Sequence, residues 1–280
     1  MGQLATNKQR LAYPRDIRSV SEPNLYCCVT PERERKTARI MNALVGGQMG
    51  AQIQWSDPPD DPIPFVVWGQ AWLALRIVPP AIKRSRPWFH VDNGFVLPAG
   101  GGVNGYYRIT YRGLSPILLH EPPPIRAPLN EIKLKPWREG GDHILLALPG
   151  RDFGRCMGLD MRTWIAKAQY YIRQKTKRRI IIRDKGDPRP LREQLRGCWA
   201  LVTHSSNVAV DAVMAGVPVF VAPTSPAAPV GRIDLELESP IMPDREHWWA
   251  SLMAQQFTLN EMYAGIASAH MHMVRTQVGY

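Results

Sequence analysis

The chain has 280 residues, 45% of them hydrophobic and 21% charged, enough apolar material for one large domain or two modest ones. This composition excludes a disordered tail, a collagen-like repeat and a disulfide-stapled peptide. Lys and Arg exceed Asp and Glu by 35 to 24, a net charge of +11, and between Arg162 and Arg196 twelve basic residues face only Asp184, Asp187 and Glu193. Such a stripe draws polyanions, whether nucleic acid, nucleotide phosphates or an anionic membrane surface, and reads equally as a solvated helix face. The longest nearly apolar run, Phe65 to Val78, is interrupted at Gln70 and Arg76 and falls short of the roughly 20 residues a membrane span needs. The first eight residues carry no apolar core and no small-residue cleavage site, so a cytoplasmic chain is expected. Cysteines at 27, 28, 156 and 198 fit neither a zinc site nor a disulfide framework and are taken as buried fillers.

Residues 1–22 are polar, carry four basic residues and show no apolar period, which predicts a basic arm. Leu25 to Val29 is a short buried strand. Thr30-Pro31-Glu32 then has the pattern of a helix start, and Ile40, Leu44 and Val45 give that helix one apolar face, ended by Gly46-Gly47. Further strands are expected at Ala51 to Trp55, Phe65 to Trp68 and Trp88 to Val91, with a helix from about Gln70 to Lys83. The alternation predicts a parallel sheet flanked by helices. Between Pro98 and Pro136 the pattern breaks into a glycine run, a strand at Tyr106 to Tyr111 and a proline cluster, which marks a connector. Alternation resumes with strands at His143 to Leu148, Arg179 to Arg183, Trp199 to Val202 and Val217 to Val221. A long helix containing Trp164, Ala168, Tyr171 and Ile172, a short one at 190–196 and one from Ser205 to Ala215 separate them. The end of the chain, from Asp244, is mostly helical, and Thr258 with Glu261 forms a capping box.

The segment from Ala200 to Val219 carries the most chemistry. A buried strand runs into Thr203-His204-Ser205-Ser206-Asn207 and then a helix closed by Gly216, so hydroxyls, an amide and backbone N–H groups converge where an oxyanion can be held. Ser205 or Ser206 serves equally well as a plain helix cap. This segment resembles the donor-nucleotide segment of GT-B glycosyltransferases and their relatives among capsule-type transferases and nucleotide-sugar epimerases. Ile180 to Asp187 resembles the strand and basic turn that precede it. Val91 to Phe95 with Tyr106 to Thr110, Asp244 to Trp249 and Gln256 to Met262 look like segments of a group of bacteriophage-encoded and capsule-related proteins. The resemblance covers most of residues 25–270.

The resemblance implies an α/β fold of two Rossmann-like domains with a C-terminal helical segment crossing back. The expected division is an arm at 1–22, an acceptor domain at 23–115, a proline-rich linker at 116–136, a nucleotide-sugar domain at 137–243 and C-terminal helices at 244–280. It implies sugar transfer from a nucleotide-diphosphate sugar, with a UDP-sugar first in line, to an acceptor hydroxyl. Neither half has a G-x-G-x-x-G after its first strand, which argues against a dinucleotide redox cofactor. No Asp-x-Asp stands where a metal-dependent transferase would place it, so no obligatory metal is expected.

Arg183, Lys185, His204, Ser205, Ser206 and Asn207, with Arg151 in the loop after the strand at 143–148, are the candidates for holding the leaving diphosphate. Asp211 and Glu238 are candidates for a donor hydroxyl, or surface charges. Asp92, at the carboxyl end of its strand, is the candidate base, or an Asx turn before Asn93-Gly94. His90, assigned to the opposite strand face, is second choice, and Asp60 and Asp61 are reserve carboxylates. Tyr106, Tyr107, Trp248 and Trp249 read as packing, or as stacking surfaces for a base or sugar. By similarity to phage DNA glucosyltransferases, the acceptor is expected to be a hydroxymethylated pyrimidine flipped out of DNA, in a host cytoplasm, with Arg108, Lys175, Lys177 and Arg178 on the nucleic acid. The competing readings are a capsule or envelope polysaccharide transferase and a non-catalytic nucleic-acid-binding protein with the same fold.

Overall fold

In the computed structural model, which describes residues 23–69, 72–99, 105–113, 115–150, 154 and 160–277, the strand–helix alternation builds two sheets. The arm at 1–22, Arg151, Cys156 and the glycines at 100–102 lie outside the described residues. In the first half, β1 (Leu25–Cys28), α1 (Glu34–Gly46), β2 (Ala51–Gln54), β3 (Phe65–Trp68), α2 (Trp72–Lys83) and β4 (Trp88–Asn93) give four parallel strands in the order β2-β1-β3-β4. β5 (Tyr107–Tyr111) adds to β4 in the antiparallel sense. The first sheet is therefore mixed, where the sequence predicted a parallel one. Thr30 makes no cap bond, because a 3-10 turn at Pro31–Arg33 precedes α1. Its amide instead donates to the buried Thr37 hydroxyl at 3.1 Å.

The second half repeats the topology. β6 (His143–Ala147), α3 (Met161–Lys175), β7 (Arg179–Arg183), α4 (Leu191–Gln194), β8 (Cys198–Thr203), α5 (Val208–Met214) and β9 (Val219–Val221) give four parallel strands in the order β7-β6-β8-β9. In both halves the first strand lies second in the sheet, so the strand order reverses beside it, and the carboxyl ends at that point form the crevice where open α/β sheets bind ligands. The central strands of each sheet are buried on both faces, as their near-continuous apolar runs require, while the edge strand β7 stays partly exposed. Ile144, Leu146 and Phe220 pack under α3, and Leu145, Leu201 and Val219 pack under α5.

The end of the chain ties the halves together. α6 (Glu246–Ala254) buries Trp248, Trp249, Leu252 and Met253 in the second-half core. β10 (Gln256–Phe257) then joins the edge of the first sheet beside β5, and α7 (Leu259–Tyr263) and α8 (Ile266–Gln277) belong to the first-half core. α7 opens with the expected capping box, Glu261 N to Thr258 Oγ1 at 3.2 Å and Thr258 N to Glu261 Oε2 at 2.7 Å. Gly47 lets α7 approach the end of α1, since a Cβ there would stand 1.9 Å from the Met262 carbonyl. The crossing-back segment expected from the sequence is thus present, with a two-residue strand inside it that the sequence did not announce. Phe95, Val96 and Tyr106 of the first half join the apolar cluster of the second, so the halves share one wall of core.

Candidate functional site

The carboxyl end of β8 leads into the turn His204-Ser205-Ser206-Asn207. His204 Nδ1 is 2.8 Å from Ser205 Oγ, which is 2.8 Å from Thr224 Oγ1, and the His204 carbonyl accepts from Ala222 N at 2.9 Å. The turn is therefore pinned to the segment after β9. α5 starts at Val208, three residues later than the sequence predicted, because Ser206 Oγ accepts from Val208 N (3.4 Å) and holds the chain in a turn. Asn207 takes the N-cap position but makes no cap bond. Its side-chain amide donates to the Phe95 carbonyl at 2.8 Å, a bond between the two halves. Burial lowers the His204 pKa, so the ring is neutral at pH 7.

On the first-half side, Asp92 is the last residue but one of β4. Its Oδ2 pairs with Arg108 at 3.1 Å, and its Oδ1 accepts the Asn93 amide at 2.7 Å. Burial raises the Asp92 pKa, but Arg108, the Asn93 N–H and Lys36 outweigh it and hold the carboxyl below its usual range. His90 lies on the same face as Asp92, not the opposite one, since residues two apart in a strand share a face and each group shifts the other's titration. The ring is 1% exposed, its Nε2 lies 3.1 Å from the Gly69 carbonyl, and burial pushes its pKa down to about 4. A ring so enclosed cannot meet an acceptor in the crevice.

Lys36, in the first turns of α1, is the residue sequence reasoning missed. Its Nζ lies 3.1 Å from Asn93 Oδ1 and 4.2 Å from the centroid of the Trp68 ring. Burial lowers its pKa, Asp92 raises it, and Arg33 and Lys185 push it down. Lys36 thus lies within electrostatic range of the turn after β7, in the second half. Arg183, at the end of β7, is anchored by the Arg189 carbonyl (2.8 Å) and Gln194 Oε1 (2.5 Å). Asp211 follows Asn207 by one helical turn and so shares its side of α5. It is half-buried and its carboxyl has no hydrogen-bond partner among the described residues; burial pushes its pKa up to about 6, partly offset by Arg183. The crevice thus brings together Lys36, Asp92, Arg108, Arg183, Lys185, Asn207 and Asp211.

Other expected contacts lie elsewhere. Lys175 pairs with Glu236 at 2.6 Å, and Arg178 pairs with Glu238 at 2.9 Å while its guanidinium stands 4.0 Å from the Trp199 ring centroid. These residues, with exposed Lys177, precede β7, whereas Arg183 ends it and Lys185 follows in the next turn. The stripe that is continuous in sequence is therefore split between opposite ends of a strand about 15 Å long. Glu238 sits at the amino end with Arg178, away from the crevice. Arg108 is 12% exposed and turned to Asp92. Tyr106, Tyr107, Trp248 and Trp249 are buried packing. Asp60 pairs with Arg84, and Asp61 with Arg86 and the Tyr26 hydroxyl.

No protein-family model matches the chain, and no curated protein matches it. Among solved structures it is similar to the beta Kdo 2,4 transferase of KpsC from Thermosulfurimonas dismutans, with a TM-score of 0.53, 11% identity, and coverage of 87% of this chain and 98% of that one. The beta Kdo 2,7 transferase of the same protein gives a TM-score of 0.49 at 10% identity, over 89% of this chain and 100% of that one. At such identity the likeness is one of fold, and it agrees with two Rossmann-like halves of GT-B type. Among the described residues no helix is long and apolar enough to cross a membrane.

Proposed function

We propose that the chain is a glycosyltransferase that holds a nucleotide-sugar donor in the crevice between the two sheets. The observations that carry this reading are two electrostatic pairings at the carboxyl edges of two sheets of like topology, Lys36 of the first half with Lys185 of the second, and Arg183 with the half-buried Asp211. Cations aimed at a leaving phosphate stabilise the charge that develops as the bond from the sugar's anomeric carbon to the phosphate oxygen breaks. The acceptor hydroxyl forms the new bond to that carbon and gives its proton to a carboxylate. Asp211 is the better base of the two candidates, because burial holds it near 6 whereas Arg108 and Lys36 hold Asp92 low. Asp92 then orients Arg108 and Lys36, an exchange of the roles expected from sequence. Ser205, Ser206 and His204 add neutral donors to the phosphate, and a UDP-sugar is the first donor to try.

One solved structure of similar fold is a Kdo transferase of KpsC, which favours a glycan acceptor. The split of the basic stripe, and the acids that neutralise Lys175 and Arg178, weaken the DNA-base acceptor. The test is a thermal-shift and calorimetric panel of nucleoside mono- and diphosphates and their sugars, with Lys36→Met and Lys185→Met beside the parent chain. The reading expects one nucleotide series to bind and the double variant to lose roughly tenfold or more in affinity. Chelator is expected to leave binding and turnover unchanged. Absence of binding across the panel overturns the reading, and turnover on DNA that falls steeply with salt restores the DNA acceptor.

A further inference from the structure

At the amino edge of the first sheet, the far end of the strands from the crevice, a cavity of about 380 Å³ opens between α8 and the start of β1. Its volume falls in the range of small-molecule sites. Its floor is apolar, Leu25, Phe89 and Met271, and its walls are polar. One wall is a stripe of α8, Ser268, His272 and Arg275, whose spacing of four and three residues puts them on one helical face. The other wall is a chain of amides. Ser268 Oγ donates to Gln48 Oε1 at 2.9 Å, Gln48 Nε2 to Asn24 Oδ1 at 3.1 Å, and Asn24 Nδ2 to the Met49 carbonyl at 2.9 Å. Each amide keeps one N–H unused in this chain, and the Ser268 oxygen keeps its lone pairs, which suits hydroxyl groups.

The charge of the cavity is one-sided. No Asp or Glu lines it, and Arg275 has no ion pair among the described residues. Its Nε is buried without an acceptor among the described residues, a donor whose desolvation nothing in the chain offsets. The Arg275 guanidinium lines the cavity with no acid beside it, next to an imidazole and a row of amides, and its terminal N–H groups match a planar oxyanion on a hydroxylated body. One cation and one imidazole suit a single negative charge better than two.

We propose that this cavity is a second binding site, separate from the crevice, for a small hydroxylated carboxylate such as a sugar acid. The Arg275 fork takes the carboxylate, and Asn24, Gln48 and Ser268 take hydroxyls. The inference stands on these residues alone and is independent of the glycosyltransferase reading. The test is calorimetric titration of the full chain with D-glucuronate and with D-glucose, repeated for Arg275→Met and Arg275→Lys. The expected result is saturable glucuronate binding, at least about tenfold weaker binding of glucose, and loss of the preference in Arg275→Met with partial retention in Arg275→Lys. Melting temperature does not fall in either variant and nucleotide binding stays unchanged, which separates a lost site from a damaged fold. Equal binding of the two sugars, glucuronate binding that survives Arg275→Met, or no saturable binding of glucuronate overturns the proposal.

Discussion

Replacing Gln256 by Leu tests whether a buried polar bond, and not apolar contact alone, holds the loop that faces the crevice. Gln256 is 0% exposed, and its Oε1 accepts from the amides of Phe95 (2.9 Å) and Val96 (3.3 Å), more than 150 residues earlier. Leucine nearly preserves the volume, so little cavity cost enters. Two backbone N–H groups lose their acceptor in a site closed to water. Each costs about 1–3 kcal/mol, with the longer bond at the low end, and loss of the Gln amide's own desolvation returns part of this. The net expectation is about 2–4 kcal/mol of destabilisation. Asn207→Ala is the control. It removes one bond to the Phe95 carbonyl at a half-buried position and is expected to cost about 1 kcal/mol. Urea unfolding followed by tryptophan fluorescence and circular dichroism gives both midpoints, and an unchanged m-value makes them comparable. A Gln256→Leu shift no larger than that of Asn207→Ala would refute the reasoning, because the two orphaned donors would then have found other partners.

Two further substitutions probe the turn and the carboxylate. Gly216 has φ +79°, and a Cβ there would stand 2.0 Å from the Pro136 carbonyl, so Gly216→Ala is expected to cost about 2–4 kcal/mol in urea unfolding. For Asp211 the folded pKa of about 6 lies above the unfolded value of 3.8, so between these values the native state holds the proton more often and stability falls as pH rises. Asp211→Asn is therefore expected to be more stable than the parent at pH 7 and equal to it below about pH 4, read from melting temperatures across pH. The opposite sign at pH 7 would mean that the carboxylate is paired in the folded chain.

Much of the framework was legible because apolar strand runs and helix breaks are local signals. Val66-Val67 and Leu201-Val202 could not be solvated strands, the Ile180-Ile181-Ile182 run marked a strand although it lies at a sheet edge with Ile182 exposed, and Thr258 with Glu261 satisfied each other three residues apart. The start of α5 was not legible, since Ser205, Ser206 and Asn207 are all good caps and only tertiary contact decides among them. Ser206 takes the local bond, and Asn207 is drawn away by Phe95. β10 was hidden for a different reason. Two residues show no alternation, and their register comes from Tyr107 and Arg108, far off in sequence. Lys36 gave no sign of its role, which arises from Lys185 facing it across the fold. The basic stripe misled because charge counted along the chain ignores the strand that carries Arg178 and Arg183 to opposite ends.

The junction between the halves is polar where it fixes geometry and apolar where it only excludes water. Apolar burial is non-directional, so Phe95, Val96 and Tyr106 can sit against the second-half core in more than one register. Directional bonds remove that freedom. Gln255, also 0% exposed, accepts from Ile117 N at 3.2 Å and donates to the Ile117 and Ser251 carbonyls at 2.8 and 2.9 Å, which clamps the connector to α6. Gln256 clamps the loop at Phe95, and that loop's carbonyl receives Asn207. One consecutive pair of glutamines thus sets the connector and the crevice wall together. The Asn207 bond, which is half-buried, costs less to break than the glutamine bonds, which are closed to water, so the glutamine pair and not Asn207 carries most of the polar stability of the junction.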